Sequence, residues 1–135
     1  MKYLLSVLVL ITFFSSSILQ AQDNKSVTSC KMYLNGNAVE EMSKETILEW
    51  CKLVPPTVIC DDERVYRLER FRINFLSLSP FMNSDFGIGE KGIPIKAVRA
   101  VENGQAGDAL ILKEVVYINE EGIESSLPTI SFKLQ

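Results

Sequence analysis

One stretch in the middle of the chain, Val65 to Leu78, restricts the fold more than any other. Apolar residues recur at alternate positions there, the period of a half-buried β-strand. Tyr66 and Leu68 share one parity, however, while Phe71, Ile73 and Phe75 share the other. Successive side chains of a strand point to opposite faces. The odd step between the two sets therefore flips the inward face and calls for a bulge or a break near Glu69-Arg70. A sequence that spends so much apolar side chain on a segment of this kind is built around a sheet.

The flanking segments agree. Cys30, Met32 and Leu34 alternate with Lys31 and Tyr33 within residues 27–34, a strand pattern, and Asn35-Gly36-Asn37 turns the chain with residues that tolerate positive φ. Ser43 is placed to cap a short helix that carries Ile47, Trp50, Cys51 and Val54 on one side and stops at Pro55-Pro56. Thr57 to Cys60 reads as a brief β stretch and Asp61-Asp62-Glu63 as a solvated turn. Ser79 to Gly92 holds Pro80, Gly87, Gly89 and Gly92 and reads as a loop presenting Phe81 and Phe86. Pro94 in a first turn, Ile95, Val98 and Val101 at helical spacing, and Asn103-Gly104 as a stop predict a second short helix. Ala109 to Ile118 is apolar on both parities, as in a strand buried on both faces. After a turn at residues 119–122, Ile130, Phe132 and Leu134 alternate with Thr129, Ser131 and Lys133. The expected fold class is mainly β, with α+β as the variant: one antiparallel, sandwich-like domain with one or two short helices.

The N-terminus has a different character. Met1-Lys2 precedes an uncharged run from Tyr3 to Leu19, whose apolar heart is Leu4 to Phe14, followed by Ser15-Ser16-Ser17 and Leu19-Gln20-Ala21. A basic start, an apolar stretch and a small exit residue are the parts of a secretory signal peptide, expected to be cut after Ala21. The run is shorter than the roughly 20 residues of a spanning helix, which disfavours an uncleaved anchor. Val27-Thr28-Ser29-Cys30 resembles a lipoprotein site, but polar residues 20–25 separate it from the apolar run. The domain layout is thus a signal peptide over residues 1–21 and one β domain over residues 22–135, with the product exported to the periplasm or cell surface. Removing 21 residues from 135 leaves 114, enough for one core.

Charge and chemistry exclude more than they assign. The formal charge of −3 becomes −4 once Lys2 is lost, which argues against nucleic acid and against electrostatic attachment to anionic lipid. The chain has no histidine, so most zinc sites and the histidine-based nucleophilic arrangements fall away. Gly87-Ile88-Gly89 lacks the helix start of a phosphate-cradling loop, and the cysteines lack redox spacing. No enzyme activity, catalytic residue, metal site or cofactor is expected. A carboxylate-based hydrolase would need a cleft with two facing acids to revive it.

Three cysteines, Cys30, Cys51 and Cys60, allow three pairings. Chain-closure entropy favours the short Cys51–Cys60 segment, which would leave Cys30 as a buried thiol. Asp61-Asp62-Glu63 lacks the ligand distribution of a calcium loop. Arg64, Arg67, Arg70 and Arg72 could form a basic stripe, but Glu63 and Glu69 interleave, so a mixed-charge strand face is the simpler reading. Phe81 and Phe86 are the candidate partner contact, against the simpler reading in which they fold back over the core.

The C-terminal run GDALILKEVVYINEEGIESSLPTISFKL, Gly107 to Leu134, resembles the end of the C-terminal domain of the gliding-motility protein GldM and its relatives in Bacteroidetes. The parts of the likeness are Gly107-Asp108, the strand Leu110 to Ile118, the turn Glu121-Gly122 and the closing Leu127-Pro128 through Leu134. Arg67 to Ile73 and, more loosely, Lys31 to Val39 are also similar. The resemblance implies a β-sandwich module that works by protein–protein contact in the envelope, linked in that family to gliding and type IX secretion. This chain departs from the family in carrying one domain and no expected anchor. The resulting expectation is a non-enzymatic exported interaction module with an envelope protein as partner and no membrane insertion after cleavage. The rival is a small secreted inhibitor or glycan- or ligand-binding protein that uses the Phe81–Phe86 loop.

Overall fold

The structure, a computed structural model, describes residues 26–135; the expected signal peptide and its cleavage point lie outside the described residues. Among the described residues, eight strands and two helices follow in the order β1 (Cys30–Leu34), β2 (Asn37–Ala38), α1 (Lys44–Cys51), β3 (Thr57–Cys60), β4 (Val65–Leu78), β5 (Phe81–Glu90), α2 (Ile95–Glu102), β6 (Ala109–Ile118), β7 (Glu124–Leu127) and β8 (Ile130–Lys133). The fold is mainly antiparallel β: a curled eight-stranded sheet with the two helices against its inner face. No helix among the described residues is long and apolar enough to cross a membrane.

β4 and β6 form the spine. Along one edge of β4, residues Val65–Arg67 pair with β3 and residues Arg70–Leu78 with β5; its other edge takes β6. β6 divides in the same way between β7, over Val115–Ile118, and β8, over Ala109–Leu112. The expected phase change in β4 is present, and β6 mirrors it. Between Leu68 and Arg70 the β6 partner moves by one residue, from Tyr117 to Val116; between Arg70 and Arg72 it moves by three, to Lys113. Each strand thus holds one surplus residue, near Glu69 in β4 and near Glu114 in β6, and Glu114 takes a left-handed φ of +49°. The two bulges cancel in register but flip the parity of both strands together. Tyr66 and Leu68 therefore face the same core as Phe71, Ile73 and Phe75, and Leu110 and Leu112 the same core as Val115.

That pairing corrects one reading of β6. Ile111, Lys113 and Val116 are half-buried on the outward face, so the strand is not buried on both sides. Its apolar residues occupy both parities because the bulge exchanges the faces partway along.

The inner face is closed by the helices. Ser43 caps α1, its Oγ accepting the Thr46 N–H at 3.2 Å. Ile47, Trp50 and Cys51 turn inward; Trp50 lies edge-on to Phe132 with centroids 5.1 Å apart, and its Nε1–H donates to the Thr57 carbonyl at 2.7 Å. In α2, Pro94 is the N-cap rather than a first-turn residue, and Ala97 and Val101 are the buried positions while Ile95 is exposed. Close approach sets this face. A Cβ on Gly104, just beyond the helix, would stand 2.9 Å from both Leu134 and Phe75.

Two further expectations are corrected. Residues 81–90, read as loop, are β5, in register with β4 from Leu78–Phe81 to Arg70–Glu90. The glycines that suggested a loop have other roles: Gly87, at φ +78°, sits at a bulge, and Gly89 lies where a Cβ would meet Gly92 O at 2.8 Å and the Phe71 ring at 2.9 Å. The second correction concerns the cysteines. The disulfide joins Cys30 to Cys60, not Cys51 to Cys60, and Cys51 is a buried free thiol. Sheet register outweighs the short loop, because β1 and β3 place Cys30 directly opposite Cys60, with Cα atoms 3.9 Å apart, whereas Cys51 belongs to α1. The bond also leaves Cys30 without a thiol for lipid attachment.

Candidate functional site

Phe81 and Phe86 do not act as a pair. Phe81 opens β5 at the tip of the β4–β5 hairpin, opposite Leu78, and is 77% exposed. Phe86 lies at the bulge and packs against the core. Their separation of five positions, an odd step, would have signalled opposite faces had the segment been recognised as a strand. Phe81 has other neighbours: Leu78 across the hairpin is 49% exposed and Met82, next along β5, is 55% exposed. Three large apolar side chains thus stand in solvent at one tip, where isolated exposed ones would need no explanation.

The tip is held from beneath. Asp108, almost fully buried, accepts the Leu78 N–H on Oδ1 at 2.9 Å and the Gln105 N–H on Oδ2 at 2.8 Å. These donors, the Leu78 amide foremost, hold its carboxyl below the usual carboxylate range, and the Ser77 side chain adds to them. Gly107 precedes it at φ +96° and donates its N–H to the Leu134 carbonyl at 2.8 Å. A charged hydrogen-bond acceptor thereby ties the end of β4, the α2–β6 connection and the approach to β6 at one point. In the sequence, Gly107-Asp108 stands out only as part of the family likeness.

The arginines resolve into a mixed-charge face. The β4 bulge puts Arg67, Arg70 and Arg72 together on the outward side, where an unbroken strand would send Arg67 to the side opposite Arg70 and Arg72. Arg72 pairs with Asp85 and Arg70 with Glu124 at 3.4 Å. Asp85 lies below the usual carboxylate range, first through the Gly87 N–H and then through Arg72. The acidic turn is likewise committed to its own chain. Asp61 accepts the Thr28 N–H and hydroxyl, and Asp62 accepts the Arg64 N–H and the Tyr66 hydroxyl. Among the described residues, no group of three or more Cys, Asp or Glu is arranged to hold a metal ion.

A cleft of about 330 Å³ runs between α1 and α2, with Leu48, Cys51 and Val98 among its apolar lining and Glu45, Glu49, Lys52 and Glu102 among its polar lining. Lys52 is already paired with Glu49. Burial pushes the Cys51 thiol up to about 12, so it is protonated near neutral pH and a poor nucleophile. The hairpin tip is therefore the candidate site. It offers apolar contact and exposed backbone rather than a reacting group.

Comparison of the chain with protein-family models gives no match, and comparison with curated protein sequences gives none either.

Proposed function

We propose that this chain is an exported, non-catalytic interaction module of the bacterial cell envelope and that the tip of the β4–β5 hairpin is its contact surface. The observation that carries the reading is the exposed apolar tip, with Leu78 and Phe81 on one face and Met82 on the other, held in solvent on a hairpin that Asp108 fixes from below. A surface kept apolar and rigid contributes affinity at little ordering cost, and exposed aromatic anchors dominate binding energy at protein interfaces. The Cys30–Cys60 bond supports an oxidising compartment, in keeping with the leader-like N-terminus. The GldM-like C-terminal run supports an envelope role of the same kind, with gliding or type IX secretion components as the first partners to seek.

The test is affinity capture of a tagged, crosslinked copy in its native envelope, comparing the wild type with Phe81→Ser. Truncating a central aromatic anchor costs at least about 2 kcal/mol, or roughly thirtyfold in affinity. Recovery of the partner should fall accordingly, with the melting temperature unchanged because Phe81 supports nothing beneath it. Undiminished recovery would remove the hairpin tip from the account.

A further inference from the structure

We infer that the partner binds by adding an extended strand to the free edge of β5, antiparallel to Phe81–Asp85. This deepens the reading above and rests on it. Among the described residues β5 pairs with β4 alone, so its second edge presents backbone N–H and C=O groups with no strand against them. Proteins ordinarily blunt such an edge with lysine, proline, a bulge or a cover. β5 contains no lysine, arginine or proline. Its bulge lies at Phe86–Gly87 and distorts only the second half. From Phe81 to Asp85 the register with β4 is unbroken, which leaves about 17 Å of regular edge at 3.4 Å per residue.

The side chains along this edge say what suits it. Phe81, Asn83 and Asp85 point to the outward face, and Met82 and Ser84 to the other. A strand docked here gains main-chain hydrogen bonds and touches exposed apolar surface on both faces at one end. Asp85 and Glu90 give β5 two acids and no base, and Asp85, although paired with Arg72 through Oδ2, keeps 41% of its side chain exposed. Charge complementarity therefore favours a basic residue opposite Asp85. In antiparallel order, the residue opposite Asp85 comes four positions before the one opposite Phe81. The occupant is accordingly an extended partner segment that reads base, two polar residues, then two apolar residues facing Met82 and Phe81. This is the strand-addition mode of peptide recognition, in which backbone bonds give affinity and alternate side chains give specificity.

The experiment uses the processed, disulfide-bonded protein, 15N-labelled, and the capped peptide Ser-Lys-Thr-Thr-Val-Ile-Ser added to millimolar concentration. The expected result is saturable shifts centred on β5 and at least tenfold slower hydrogen exchange at alternate amides of Phe81–Asp85. Both effects should be lost with Met82→Lys, which charges the edge, and weakened when glutamate replaces the peptide's lysine. Shifts at Phe81 and Met82 without amide protection would overturn strand addition while leaving side-chain docking at the tip intact. An absence of saturable change would also overturn it, as would equal protection from a second, unlabelled copy of the chain without peptide. If instead the β5 amides are protected by peptide but partner capture is indifferent to Phe81→Ser, the edge stands and the tip-centred function falls.

Discussion

Asp108 is the residue whose removal tells most about how the candidate site is built. Its carboxylate is buried and answers two backbone N–H groups in separate segments, so Asp108→Asn replaces a charged acceptor with a neutral amide and turns one donor against another. The expected loss is about 2 kcal/mol in a denaturant titration. Because the folded carboxyl lies below its unfolded value, its contribution is complete above the ordinary aspartate range, near 3.9, and disappears as the pH falls through the lower folded value. Melting temperatures measured between pH 6 and pH 2 should therefore decline less steeply in Asp108→Asn than in the wild type. Equal slopes would show that the group does not titrate with folding. Glu114 offers the opposite case. It occupies the left-handed region at a bulge, where glycine carries no Cβ penalty, so Glu114→Gly should stabilise the fold by up to about 1 kcal/mol. A loss of stability would mean that the bulge is held by the glutamate side chain rather than tolerated by it.

At the scale of elements, the close approach of β4 and β5 depends on Gly89. A methyl group there meets a carbonyl oxygen and an aromatic ring below normal contact distance, so Gly89→Ala should cost about 1–3 kcal/mol by thermal melting, whereas Gly122→Ala, with open space around its turn, should show only the backbone cost of its positive φ. The elements also show why some of the fold was legible in sequence and some was not. The parity change in β4 could be read because the two apolar sets are local and its bulge lies between them. α1 announced itself through Ser43, a capping signal confined to a few residues. The flip in β6 was hidden, because an apolar run on both parities looks the same whether a strand is buried twice or bulged once. β5 was hidden as well. Glycine there serves a bulge and a tight packing contact with β4, and neither cause is visible without knowing which strand lies alongside. The candidate site shared that fate. Phe81 was identified, but Leu78 joins it only through hairpin register, Met82 flanks it on the opposite face, and Phe86, farther along that same face, packs against the core instead.

For the molecule as a whole, the disulfide and the hairpin tip belong to opposite parts of one sheet. The Cys30–Cys60 bond closes a separation of 30 residues between β1 and β3, and its loss should remove about 3–4 kcal/mol by chain entropy. Reduction, or replacement of both cysteines by alanine, should then lower the melting temperature by roughly 10–20 °C. Thiol titration should find one reactive cysteine after unfolding without reductant and none in the native protein, since Cys51 is buried and protonated. Two thiols or more in the unfolded, unreduced protein would contradict the pairing. The N-terminal register had to be known before that pairing could be read, because sequence distance alone favours Cys51.

We propose that the hairpin tip is where this protein meets its partner. The most direct measurement replaces Phe81 with a photo-crosslinking benzoylphenylalanine and, in a second protein, places the same residue at the exposed Lys96 on α2. Both are irradiated in the native envelope. A discrete protein adduct from position 81 and none from position 96 is the predicted result. No adduct at 81, or adducts of equal yield from both positions, would contradict it.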